Sequence, residues 1–125
     1  MQHIEQTLWA ITPIDGRYRH SLNNIDQHLS EGALIHYRIK IELSWLLHLI
    51  DMMAAKQLPP IIQCPDTLKT KIKTWIQHPP ENAAQQVKQI EKDINHDVKA
   101  VEYYLRKLLS EHDADKTLLS FIHFA

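Results

Sequence analysis

Glycine occurs only twice in the 125 residues, at Gly16 and Gly32. That scarcity excludes a dinucleotide-binding or P-loop phosphate cradle, since both gather several glycines in one turn. A phosphate held by this chain would have to meet arginine, hydroxyls or a helix N-terminus instead. Cysteine occurs once, at Cys64, which rules out an internal disulfide and a Cys-based zinc site. Nothing around Cys64 in sequence looks activating, so a thiol without a chemical role is expected. An excess of one charge sign is missing too: 14 Lys and Arg face 15 Asp and Glu, for a formal net charge of −1. Such balance argues against nucleic acid or an anionic membrane as a partner. The one basic cluster, Lys69, Lys71 and Lys73, alternates around a helix and reads as a solvated face. Long hydrophobic runs are also absent. The longest is broken by His48 and Asp51, too early to span a bilayer, and the N-terminus lacks the basic start and apolar run of a signal peptide. A cytoplasmic protein with no membrane partner is expected.

What is present suits a globular chain: 44% hydrophobic and 23% charged residues provide both a core and a solvated surface, and the length suits a single domain over 1–125. Residues 1–18 read as irregular, with a bend at Thr12-Pro13-Ile14-Asp15-Gly16 where Pro sets the backbone and Gly permits a positive φ. Helices are expected near 21–29, 31–57, 66–77, 81–94 and 97–112. Ser30 is the expected cap of the longest, which is free of Pro from Ala33 to Leu58 and ends at Pro59-Pro60. Two apolar stripes run along that helix: Leu34, Ile41, Trp45, Leu49 and Met52, then Ile35, Ile39, Leu46, Ile50 and Met53. Two apolar faces predict burial at the centre of a bundle. Strand-like alternation over Ile39-Lys40-Ile41-Glu42-Leu43 competes locally, but length favours helix. The last predicted helix places Val98, Val101, Leu105, Leu108 and Leu109 inward and Lys99, Glu102, Arg106 and Lys107 outward. The architecture predicted is all-α. The final Ser120-Phe121-Ile122-His123-Phe124-Ala125 is apolar where termini are usually solvated, which suggests a piece of a longer protein.

Nine histidines invite a metal reading, but no His-Glu-x-x-His occurs. His20 and His28 stand eight apart, too far for chelation within one turn, so no metal site is expected. Asp15-Gly16-Arg17-Tyr18 offers more. The planar fork of Arg17 can take two oxygens of a phosphate or carboxylate, and Tyr18 adds a hydroxyl. A surface turn with an ordinary exposed Arg is the commoner arrangement for such residues. Asn95-His96-Asp97 stands where a helix begins, so Asn or Asp can cap it and the N-terminal partial positive charge favours an anion. His96 there can donate to a substrate phosphate or act as acid or base. A plain capping motif with an exposed His is the alternative.

Three ordered segments carry a resemblance: Thr12 to Tyr18 (TPIDGRY), Asn95 to Leu105 (NHDVKAVEYYL) and Ser120 to Ala125 (SFIHFA). They resemble the larger bacterial branch of the adenylosuccinate lyases, in that family's order and at about its spacing, and YRIKIELSWL between them also fits. The resemblance spans nearly the whole chain and is least distinctive from Leu58 to Ala84. It implies the N-terminal helical domain of the fumarase/aspartase-type lyase fold. It also implies the activity of a longer parent: cleavage of adenylosuccinate to AMP and fumarate, and of the succino-imidazole-carboxamide ribotide to its carboxamide ribotide and fumarate, without a cofactor. In that chemistry a base removes a proton beside a carboxylate, and an acid protonates the departing nitrogen.

By the resemblance, Arg17 and Tyr18 contact the nucleotide end of a nucleotide-succinate substrate. Asn95, His96 and Asp97 lie in the substrate site, with His96 an auxiliary hydrogen-bond donor rather than the main acid. The family's Thr-Ser substrate pair, general acid, mobile Ser loop and tetramer-forming helices all fall beyond Ala125. The expectation is therefore a homotetramer for the full-length enzyme, and for these 125 residues an inactive monomer or weak dimer. Another lyase of the superfamily, or a non-catalytic helical interaction module, stays open as an alternative.

Overall fold

The structure, a computed structural model, describes residues 6–22, 24–56 and 62–124. Among them every regular element is helical, so the strand-like alternation at 39–43 loses to the helical period around it. The chain divides into two compact units, Met1–Leu34 and Ile35–Ala125, whereas its length suggested a single domain over 1–125.

In the first unit the bend before Tyr18 is closed by its own backbone. The Gly16 amide donates to the Thr12 carbonyl at 2.9 Å and the Tyr18 amide to Pro13 at 2.9 Å, while the Asp15 amide donates to Thr12 Oγ1 at 3.2 Å. Gly16 is buried, and no glycine among the described residues has a positive φ. Its requirement is close approach, not the backbone freedom the sequence suggested. A Cβ at position 16 would stand 2.5 Å from the Thr7 carbonyl oxygen and 3.0 Å from Ala10 Cβ. Gly16→Ala should therefore push the Thr7–Thr12 backbone away and cost about 1–3 kcal/mol locally. Faster amide hydrogen exchange over residues 12–18 checks this, and unchanged protection there would contradict it.

The helix expected over 21–29 is broken. A 3₁₀ turn, Arg19–Ser21, precedes the short α1, Asp26–Leu29. Asn24, in the turn that follows, competes for nearby backbone groups and favours a turn over helix. Helix α2, Glu31–Ala55, then starts at Ser30, whose Oγ accepts the Ala33 amide at 3.0 Å as the sequence anticipated. The expected end at 57, with Leu58 and Pro59-Pro60, lies outside the described residues.

The second unit holds the rest of α2 and α3 (Asp66–Gln77), α4 (Ala83–Ile94), α5 (Asp97–Ser110) and α6 (Lys116–Ser120). Helix α5 stops before the expected 112, where Asp113 turns to a φ of 67°. Helix α6 was not anticipated, although its signal was present: Asp115 stands before the run, and its Oδ1 accepts the Leu118 amide at 2.7 Å. Helix α4 packs against α5, and α5 against α6. Ile39, Leu43, Leu46, Leu68, Ile72, Val87, Leu105, Leu109 and Leu118 form one buried cluster.

Two assignments of faces need correction. Helix α2 is not buried all round. The stripe with Ile35, Ile39, Leu46 and Ile50 is buried, but Leu34, Ile41 and Trp45 of the other stripe are 48%, 68% and 42% exposed. On α5, Glu102 is not on the outer face; it is 5% exposed. Lys99 Nζ lies 2.8 Å from its Oε2 and Arg106 Nη2 2.8 Å from its Oε1. The cations at i−3 and i+4 let the carboxylate leave water without losing its charge. Burial pushes the Glu102 carboxyl up, but the hydrogen bonds from Lys99 and Arg106 outweigh it and hold the group below the ordinary carboxylate range. A depressed native value means that this contribution to stability is present above the unfolded-state value, about 4.3. It is lost as pH falls through the lower native one. Thermal melts between pH 7 and pH 3 should show the midpoint falling below about pH 4, and Glu102→Gln should reduce that slope. An identical acid slope in the variant would contradict the sign.

Candidate functional site

The five residues singled out by sequence fall into two groups, one in each unit: Arg17 with Tyr18, and Asn95 with His96 and Asp97. The second group is the joint between α4 and α5. Asn95 ends α4 in the left-handed region (φ 51°, ψ 40°), donating its amide to Glu91 at 2.7 Å. Asparagine tolerates that conformation better than other residues with a Cβ, and so turns the chain sharply. His96 then goes extended (φ −148°, ψ 108°) and becomes the N-cap of α5.

The cap corrects the sequence reading, which gave that role to Asn95 or Asp97. His96 Nδ1 accepts the Lys99 amide at 3.1 Å. A ring nitrogen that accepts carries no proton, so the neutral imidazole bears its hydrogen on Nε2. An exposed side chain with a fixed tautomer thus offers an N–H donor at the positive end of a helix. Asp97 Oδ1 accepts the Val98 amide at 2.8 Å and Oδ2 accepts from Arg38 Nη1 at 2.9 Å. The Val98 amide first and the Arg38 guanidinium second hold the Asp97 carboxyl below its ordinary range. Arg38, on α2, went unread in the sequence, because a partner 59 residues away leaves no spacing signal.

In the first unit the closed bend presents Arg17 and Tyr18 side by side and exposed. The Arg17 guanidinium carbon sits 5.1 Å from the centre of the Tyr18 ring, a cation–π distance that limits how the fork turns. Arg19, two residues on, is committed to Asp26 at 3.1 Å. Among the described residues no carboxylate pairs with Arg17, so its fork is available to an oxyanion.

Two donors of this kind can hold an oxyanion. Among the described residues no group of three His, Cys, Asp or Glu is placed to hold a metal ion. Burial pushes the Cys64 thiol up, against a smaller pull from Lys69, which fits an unreactive thiol. Contacts that sequence reasoning missed join α2 to the end of the described chain. His123 Nδ1 lies 2.6 Å from Glu42 Oε1, and Trp45 Nε1 donates to the Phe124 carbonyl at 2.6 Å. No helix among the described residues is long and apolar enough to cross a membrane.

No family model matches the chain. Curated relatives do. It is 38% identical over 117 residues to an adenylosuccinate lyase of Legionella pneumophila, strain Corby, covering 93% of this chain and 25% of that protein. It is 38% identical over 118 residues to the adenylosuccinate lyase of Dictyostelium discoideum, at 94% and 25% coverage. With the adenylosuccinate lyase of Escherichia coli K12 the figure is 34% over 119 residues, at 95% and 25%. The chain spans about a quarter of the length of the curated relatives it matches.

Proposed function

We propose that this chain, a homologue of the adenylosuccinate lyases over nearly its whole length, is the N-terminal helical domain of such an enzyme. The observation that carries the reading is alignment over 93–95% of the chain together with an α4–α5 joint that fixes an oriented N–H donor at His96. The parent activity is elimination of fumarate from adenylosuccinate and from the succino-imidazole-carboxamide ribotide, in purine biosynthesis, by a cytoplasmic homotetramer. Within it, Arg17 and Tyr18 hold the nucleotide end of the substrate. Asn95 and Asp97 shape the joint that presents His96, whose Nε2–H steadies a substrate oxygen as charge develops. The acid and base of the elimination lie in the parent outside these 125 residues, which are inactive by themselves and form a monomer or weak dimer.

The reading is tested by a graft in which residues 1–125 replace the matching quarter of the Legionella pneumophila lyase. Expressed in a lyase-deficient, purine-requiring strain, the graft should restore growth without added purine. A soluble graft that leaves the strain dependent on purine would contradict the reading. Within the graft, Arg17→Lys replaces a two-pronged donor by a point charge. Losing a charge-assisted bond of this kind costs about 1.5–3 kcal/mol, so kcat/KM should fall by roughly tenfold or more. Unchanged kcat/KM in an active graft would return Arg17 to an ordinary surface turn.

A further inference from the structure

The joint that presents His96 carries a charge that works against it. Asp97 follows His96 directly, and an unopposed carboxylate there would favour a proton on both ring nitrogens. The imidazolium has no lone pair on Nδ1, so it cannot accept the Lys99 amide that caps α5. The same carboxylate would also repel an oxyanion approaching Nε2–H. The other charges within a turn or so of His96 in the chain are matched. Glu91 lies 2.8 Å from Lys88 and Lys99 2.8 Å from Glu102, while Lys92 and Asp93 are exposed neighbours of opposite sign.

Asp97 is answered from another helix. Arg38 on α2 donates from Nη1 to Oδ2 at 2.9 Å, and Oδ1 accepts the Val98 amide. Each carboxylate oxygen thus has a donor of its own. The Arg38 and Asp97 side chains are 28% and 55% exposed, and a pair so exposed adds little to stability. Its position beside the ring makes charge balance the larger effect.

We propose that Arg38 is a positioning residue for His96: by holding Asp97 it keeps the ring neutral, capped at Nδ1 and with Nε2–H free for a substrate oxygen. The use of that donor rests on the lyase reading, whereas the state of the ring can be read without turnover. Diethylpyrocarbonate acylates only an uncharged imidazole, and digestion with mass spectrometry gives its rate at each histidine. In the graft, the rate at His96 is taken relative to that at His78, exposed at the end of α3. Arg38→Met should lower this ratio by about two- to fivefold near pH 6, the size of one surface charge left unopposed. By about pH 8, where imidazole is neutral in either case, the difference should vanish. Arg38→Lys keeps a cation for Oδ2 and should restore the ratio. Adding Asp97→Asn to Arg38→Met removes the charge to be offset and should restore it too. A ratio unchanged by Arg38→Met, or lowered equally at both pH values, would overturn the proposal. So would an Arg38→Met graft that does not fold, since the pair would then be structural. An inactive graft with the expected pattern fails the lyase reading and keeps the role of Arg38. An active graft without the pattern does the reverse.

Discussion

Replacing His96 by alanine in the grafted enzyme should lower kcat/KM by about tenfold to a thousandfold, the range for one donor lost from a transition state. The same change removes the N-cap of α5, because Nδ1 is the acceptor for the Lys99 amide. Losing a cap costs about 0.5–2 kcal/mol, so the variant folds but melts somewhat earlier. The two effects separate by chemistry. Asparagine at this position supplies a side-chain oxygen for the cap but has no ring nitrogen at the place of Nε2. His96→Asn should recover most of the stability and leave kcat/KM low. Steady-state kinetics beside thermal melts of both variants decide it. If His96→Ala unfolds the protein while the folded fraction keeps full activity, His96 is structural only.

Leu105→Ala should destabilise the second unit by about 2–5 kcal/mol, the cost of emptying a fully packed site. Leu105 is 0% exposed and lies on α5, which packs against both α4 and α6. Ile39, Ile72 and Leu118, members of the same buried cluster, cannot all close on the space left behind. For a domain of this size each kcal/mol moves the melting point by roughly 4–8 °C, so a fall of about 10 °C or more is expected by circular dichroism. The joint bearing His96 opens the same helix and should lose hydrogen-exchange protection with it. A melting point within about 2 °C of the parent chain, well under one such step, would contradict this account of the core.

Helices α3, α4 and α5 were legible because each pairs a strong 3.6-residue apolar period with a breaker at its ends: Pro79-Pro80 after α3, and Asn95-His96 between α4 and α5. Helix α6 was not, because five residues are too few for a period to show, and only Asp115 marked it. The faces of α2 misled because composition alone cannot tell a side buried in the core from one exposed to another surface, and Ile41 and Trp45 fit both. Glu102 misled in the opposite sense. A charge at that position looks solvated until Lys99 and Arg106 are seen to close over it. At the candidate site, sequence marked the joint at 95–97 and the pair at 17–18. It could not tell which of three polar residues capped α5, since Asn, His and Asp all carry acceptors and only the backbone angles decide. Arg38 and the Glu42–His123 pair were invisible for a simpler reason: their partners lie 59 and 81 residues away.

The proposed function requires that these 125 residues complete a fumarate-releasing enzyme when they replace the matching quarter of a related lyase. Fumarate formation from adenylosuccinate by the purified graft, followed by its ultraviolet absorbance, tests it most directly. The graft should release fumarate and AMP in equal amounts, and the 125 residues alone should release none above the uncatalysed rate. A folded graft that forms no fumarate, or the isolated chain turning over substrate by itself, would contradict the account.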